Sequence, residues 1–289
     1  MRRIILFLSA FGLFSSYINQ GEGYITRLPK RRILPLYINY LILIVVYLSI
    51  ALMLGNDFKG VLLIESLLIG GTYVANGWYL QTLLLFYLFF WVTFILKIPD
   101  KYKILLIFCL TVMYYITGSC LEFFLHTGYF GYASIFMFPL GTFYAFKRSS
   151  VENILNKHRI STFIIALILI FTAGIMLLTR KKLSLPGFLT VFQSTYITMA
   201  FAIGVLLLLN FFNLNFSFTR FLGKYSFEIY VLQGIGFIIA SSNWLHISNL
   251  YVQLAVSIMI TAILCVPFHY LFEYVKSLFR KENKIKRNE

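Results

Sequence analysis

Charge is scarce in this chain. Only 12% of its 289 residues are Asp, Glu, Lys or Arg, and ten of those are acidic. A soluble domain carries about a quarter charged residues, so a water-exposed globule is excluded. Cysteine is nearly absent as well. Cys109, Cys120 and Cys265 are scattered without paired spacing, which excludes a disulfide framework and a cysteine metal site. Only four histidines are present, and no GxSxG, HExxH or Walker sequence occurs, nor a carboxylate pair inside an apolar run. An ATPase and a zinc protease are thereby set aside. There is no internal repeat, no low-complexity tract, and no loop longer than about 25 residues when apolar runs of bilayer length are drawn.

What fills the chain is hydrocarbon. Sixty percent of the residues are hydrophobic and the mean hydropathy is +0.83. Apolar runs of bilayer length recur from end to end, each near the 20 residues or so that a helix needs to cross. The fold class expected is all-α, a polytopic transmembrane helix bundle with about nine spans. These are drawn at 4–19, 34–54, 78–96, 104–119, 130–146, 161–179, 189–212, 225–242 and 250–272. The stretch GVLLIESLLIGGTYVANG between the second and third is too short to cross. Its Gly70-Gly71 and Asn76-Gly77 pairs read as turns, so one short re-entrant or interfacial segment is expected there. The N-terminal MRRIILFLSAFGLFSSY has a basic start and an apolar core but no small-x-small cleavage site, and reads as a retained span rather than a signal peptide.

The net charge of +15 is a topology signal rather than a nucleic-acid footprint. With the 27–32 loop placed in the cytoplasm, alternation puts most basic residues inside. Only Arg2, Arg3, Lys59 and the Arg180–Lys182 cluster stay outside. This orientation makes residues 275–289 a basic cytoplasmic tail and locates the protein in a plasma (inner) membrane. It also leaves the N-terminus outside with two arginines and no preceding span, an arrangement that one more helix ahead of Met1 would repair.

Four constellations carry polar chemistry. In FLGKYSFEIYVLQGIGF, Ser226, Tyr230 and Gln233 share one helical face, and Lys224 and Glu228 are spaced to pair. Such a face either holds a bundle together through interhelical hydrogen bonds or forms the polar wall of a cavity. In NGWYLQTLLLFYLFF, Trp78 and Tyr79 form an interfacial aromatic belt or a platform for sugar rings, with Gln81 one turn in. In TRLPKRRILPLY, the cations Arg27, Lys30, Arg31 and Arg32 lie in one short loop around Pro29 and ahead of Pro35. They are either an orientation signal alone or an anion clamp suited to phosphates such as those of coenzyme A. Finally, His126 stands near Glu122, and His269 precedes Glu273 by four. Each pair is either a general base with its orienting acid or a plain ion pair. His158 and His246 read as solvated. Glu65 is the one carboxylate in the expected re-entrant stretch, and an ionisable group at membrane depth is a functional candidate.

Taken in order, these stretches resemble acyltransferase family 3, integral-membrane enzymes that mostly O-acetylate cell-surface glycans. FLSAFGLFSSY is similar to the family's second-helix pattern, with Ala10 in place of its first glycine. KRRILPLY resembles the basic loop ahead of the third helix through Arg32 and Pro35, with Pro29 where another arginine is common. Trp78 and Tyr87 match the aromatics of the Trp-Phe/Tyr-Leu span, and FPLGTFYAF resembles the Phe-x-Leu-Gly helix. LGKYSFEIYVLQG resembles the closing signature at Gly223, Lys224, Ser226, Ile229 and Tyr230, with Gln233 at its usual histidine.

The resemblance implies a single integral-membrane acyltransferase-like domain over 1–289. It implies transfer of an acyl group, acetyl by preference, from acetyl-CoA to a hydroxyl of a cell-surface polysaccharide or lipid-linked glycan. Arg27, Lys30, Arg31 and Arg32 would hold the CoA phosphates; Trp78, Tyr79, Tyr87, Tyr230 and Gln233 would line the acceptor cavity; no metal is needed. The family's presumed base is a histidine on a first helix that this sequence does not contain, which leaves Glu65 and His126 as candidates. Two other readings stay open: a relative without its base, and a glycan flippase or polymerase subunit. The sequence fixes no oligomeric state.

Overall fold

The computed structural model describes residues 2–55, 57–67, 73–75, 77–125, 134–179, 187–209, 211–212, 217–242 and 244–285. Every regular element among them is helical. In chain order they are α1 (Arg2–Gln20), α2 (Glu22–Leu28), a π-helical turn (Pro29–Ile33), α3 (Leu34–Met53), α4 (Gly60–Leu67), α5 (Trp78–Ile95) and α6 (Asp100–Leu125). These are followed by α7 (Met137–Phe146), α8 (Arg148–Lys157), α9 (Arg159–Thr179), α10 (Gly187–Leu209), α11 (Ser217–Ala240) and α12 (Leu250–Ile285).

Among the described residues six helical runs are long and apolar enough to cross a membrane: Glu22–Met53, Trp78–Ile95, Asp100–Cys120, Arg159–Thr179, Phe192–Leu209 and Leu250–Phe279. The all-helical membrane class therefore stands, while nine spans do not all reach that standard. The apolar part of α1 is only Ile5–Gln20. Over the expected 130–146 span the described helix is α7, with 10 residues. α11 has ample length at 24 residues, but Arg220, Lys224, Glu228 and Gln233 dilute its apolar character. The expected basic tail begins as helix, since α12 runs as far as Ile285.

The chain divides into two compact units. The first comprises residues 1–26 and 86–214, the second residues 27–85 and 215–289.

In the first unit α1 packs on α7. Leu6, Ala10, Leu13 and Phe14 recur at helical spacing and are buried. Gly141 lies against the Phe7 carbonyl, so close that a Cβ there would collide with it. Gly21, at φ +63°, supplies the left-handed turn that separates α1 from α2. α9 and α10 pair antiparallel through small residues: Ala166, Ala173 and Ala200 are buried, and a Cβ on Gly204 would sit 3.0 Å from the Ala166 carbonyl oxygen. Without a hydrophobic drive between helices in lipid, such close backbone approach is what holds them.

Also in this unit, Lys103 is buried among Tyr17, Asp100 and Phe94. Its Nζ is 3.2 Å from Asp100 Oδ1 and donates to Tyr17 Oη at 3.0 Å, and the Tyr17 hydroxyl donates to Asp100 Oδ1 at 3.0 Å. The ammonium lies 5.2 Å from the Phe94 ring centroid. Replacing it with methionine strands Asp100 beside an apolar side chain. Because Asp100 itself is more than one-third exposed, the expected loss is about 1–2 kcal/mol, below that of a fully buried pair. A drop in apparent Tm of the detergent-solubilised protein reads it, and an unchanged value would mean that the triad contributes nothing.

In the second unit α11 and α12 form an antiparallel pair, and α3 packs against both. α3 buries Asn39, Tyr40, Leu43, Ile44 and Tyr47 along one face. Two glycines let α11 approach its neighbours: Gly234 faces Tyr47 and Ala75, and Gly236 faces the Ser257 carbonyl of α12.

Candidate functional site

Arg27, Lys30, Arg31 and Arg32 do not occupy a loop. Residues 22–53 run as continuous helix, and the cations fall on the end of α2 and the π-helical turn that follows. Two prolines explain why the helix widens there without ending. Pro29 opens the turn and has no N–H to give to the carbonyl four residues back, so the α-helical ladder is interrupted there and the helix widens. The Leu34 N–H then reaches back five residues to the Pro29 carbonyl, and Pro35, which can donate to nothing, follows inside the first turn of α3. Lys30 and Arg32 are exposed, Arg27 and Arg31 half-buried. The π-turn packs against α12.

The aromatic residues gather in the same unit. Tyr79 on α5 and Tyr230 on α11 meet edge to face at 4.9 Å, and both are fully buried. Trp78 stands edge-on to Tyr79 at 6.3 Å and is half-buried. Beneath them the Tyr47 hydroxyl donates to the Val231 carbonyl at 2.7 Å. Gln81 Nε2 donates to Tyr40 Oη at 3.1 Å and approaches the carbonyls of Glu65 and Ser66 at 3.4 Å. Gln233, two turns before the end of α11, is half-buried, whereas Ser226 on the same helix spends its hydroxyl on the Gly223 carbonyl. Tyr87 belongs to the other unit.

The expected re-entrant stretch contains α4, too short to cross, and is tied back on itself. The Tyr73 hydroxyl donates to the Lys59 carbonyl at 2.8 Å and accepts from the Lys59 amide at 2.7 Å, while the Tyr73 amide donates to Ser66 Oγ at 3.0 Å. Residues 68–72 and 76, which hold the expected turns, lie outside the described residues. Glu65 is half-buried on α4, and it is its backbone carbonyl that faces Gln81. His126 lies outside the described residues.

One arrangement was not legible from spacing. His269 Nδ1 lies 2.8 Å from Glu228 Oε1, joining α12 to α11 across 41 residues of sequence. Glu228 is 3% exposed and its Oε2 has no hydrogen-bond partner among the described residues. The Tyr225 ring stands edge-on to the imidazole at 4.8 Å, and buried Cys265 is one turn back on α12. The pairings expected from four-residue spacing are thus replaced. Glu273 accepts from Lys276 at 2.6 Å instead of meeting His269, and the Lys224 ammonium lies 5.0 Å over the Tyr225 ring instead of meeting Glu228. A buried acid draws its partner from whichever helix packs on it, which intrahelical spacing cannot show. Among the described residues no three His, Cys, Asp or Glu side chains converge as a metal site, and the three cysteines are free.

Comparison with known proteins bears on the whole of this arrangement. Residues 4–273 match the model of acyltransferase family 3, described as an acyltransferase domain. No curated protein and no solved structure matches the chain. The match runs through both compact units and across all six membrane-length helices except the last residues of α12, and the chain belongs to acyltransferase family 3.

Proposed function

We propose that this membrane protein is an O-acyltransferase that moves an acyl group, acetyl by preference, from acyl-CoA to a hydroxyl of a cell-surface polysaccharide or lipid-linked glycan. The observation that carries the reading is the gathering, within one compact unit, of the basic π-turn and of the Trp78–Tyr79–Tyr230 ring contacts, with Gln233 three residues further along the same helix as Tyr230. Cations at the end of a membrane helix suit the phosphates and diphosphate of a CoA thioester, and arginine forks bind such oxygens two at a time. Aromatic faces with an amide nearby suit a sugar, whose C–H surface stacks while its hydroxyls bond. Acyl transfer then needs the acceptor hydroxyl held against the thioester carbonyl, a base for its proton, and donors for the oxyanion. With the basic residues inside, the C-terminus is cytoplasmic and acyl-CoA arrives from the cytoplasm of a plasma (inner) membrane protein.

The test is transfer of radiolabel from acetyl-CoA to glycan extracted from the expressing cells, by the full chain in lipid nanodiscs. Label in an alkali-labile ester on the glycan is expected, and none with any acyl-CoA would overturn the reading. In the same assay Gln233→Leu is expected to raise KM for the acceptor about tenfold, the value of losing one good hydrogen bond in a desolvated site. An unchanged KM would make Gln233 part of the packing alone.

A further inference from the structure

The Glu228–His269 pair is the one buried acid–imidazole contact among the described residues, and the site assembled above leaves it without a role. We propose that His269 is the general base of the acyl transfer, with Glu228 its positioning residue; this rests on the acyltransferase reading.

The protonation pattern follows from the contact. A carboxylate only accepts, so the 2.8 Å bond requires the proton on Nδ1 and leaves the Nε2 lone pair available. No other hydrogen bond to His269 occurs among the described residues, and its side chain retains some exposure (14%), while Glu228 is sealed. The ring is held on the other side by Tyr225. Glu228 in turn has a buried second oxygen with no partner among the described residues, an arrangement costly for stability alone. Pro267, two residues before His269, donates no N–H to α12 and loosens the helix beside the imidazole.

Position supports the assignment. Lys224 lies one turn before Glu228, and Lys276 two turns after His269, so the pair stands just inside the basic ends of both helices. The π-turn with Lys30, Arg31 and Arg32 packs on α12 as well. The remaining charges nearby on α11 and α12 are engaged elsewhere: Lys224 over Tyr225, Glu273 with Lys276. In the step itself, His269 Nε2 takes the acceptor hydroxyl's proton as its oxygen bonds to the thioester carbonyl carbon. The C–S bond then breaks and CoA leaves as the thiol, taking the proton back from the imidazolium. The acceptor hydroxyl must therefore reach the basic end of the bundle, which a lipid-linked glycan can do.

The experiment compares wild type, His269→Asn and Glu228→Gln in nanodiscs with radiolabelled acetyl-CoA and the lipid-linked glycan extract. For His269→Asn, kcat is expected to fall about 100-fold or more, with the acetyl-CoA Kd within twofold and partial recovery on adding imidazole. Glu228→Gln, which loses the charge-assisted bond that holds the ring, should lower kcat about tenfold with the KM for acetyl-CoA within twofold, and Glu228→Asp should recover part of it. If His269→Asn does not purify as a monodisperse protein, the kcat loss of Glu228→Gln at unchanged KM decides. Transfer by His269→Asn within fivefold of wild type, or a kcat for Glu228→Gln within twofold of wild type, would overturn the base while leaving the acyltransferase reading intact. No transfer by wild type would overturn both.

Discussion

Gly141→Leu is expected to lower the apparent Tm of the solubilised protein by about 6–12 °C, corresponding to about 3 kcal/mol of overpacking in a chain of this size. The reason lies in backbone rather than side chain. A Cβ at position 141 would collide with the Phe7 carbonyl oxygen, with the carbonyl carbon at 3.0 Å and the Ala10 Cβ at 3.1 Å. Neither helix can turn a side chain aside, so α1 and α7 must separate. The buried contacts of Phe14 with Phe94 and Phe146, at 5.6 and 6.0 Å, would loosen with them. Gly12 is the control, since nothing lies within 4 Å of a Cβ built there. Gly12→Ala should therefore be neutral or raise stability by about 0.5–1 kcal/mol, the ordinary preference of a helix for alanine. Equal Tm values for Gly141→Leu and wild type would mean that α1 and α7 are not in contact.

That contact gives the Phe-x-Leu-Gly resemblance a physical content, because glycine is the residue that lets α7 lie on a carbonyl. Ala10, in place of the family pattern's glycine, sits fully buried at the same contact and is small enough to fit. A resemblance read as a string of letters here marks a distance between helices.

Other parts of the fold were legible because hydropathy changes abruptly at their edges. The runs drawn at 34–54, 78–96 and 161–179 are the helices Leu34–Met53, Trp78–Ile95 and Arg159–Thr179, each bounded by turn residues or charge. α8 was not, since it lies wholly within what reads as a basic loop. It buries no residue and is laced by the Arg148–Glu152 pair at 2.8 Å, so a hydropathy pattern has nothing to register. Residues 27–32 misled for the opposite reason. Two prolines and four cations have loop composition, yet the helix takes in Pro29 and Pro35 by widening into a π-turn between them. The candidate site divides in the same way. Tyr79 and Tyr230 could each be singled out as an aromatic in an unusual setting, and they meet. Glu228 and His269 could not be joined, because their spacing is set by how α11 packs on α12 and not by any helical period.

Arg31→Ala with Arg32→Ala is expected to weaken acetyl-CoA binding by a hundredfold or more, about 3 kcal/mol or above, if each guanidinium makes one charge-assisted hydrogen bond to a phosphate. The pair is chosen because Arg32 is exposed and Arg31 half-buried on the same π-turn, so one faces the aqueous end while its neighbour faces the protein. Removing the exposed guanidinium leaves no buried partner behind. Insertion and folding should therefore survive in Arg32→Ala alone, which separates binding from assembly. The π-turn itself also matters to the outcome. A π-helical turn holds more residues than an α-turn and so rotates less per residue, which keeps Lys30, Arg31 and Arg32 closer together around the axis, a grouping suited to several phosphates at once. Lysine at both positions would keep the charge and lose the fork, so Arg31→Lys with Arg32→Lys should recover part of the affinity and not all of it. Equilibrium binding of radiolabelled acetyl-CoA at two salt concentrations measures both effects. Binding that is unchanged in the double alanine variant would show that the four cations set orientation alone, and the donor's phosphates would then have to be held elsewhere in the chain.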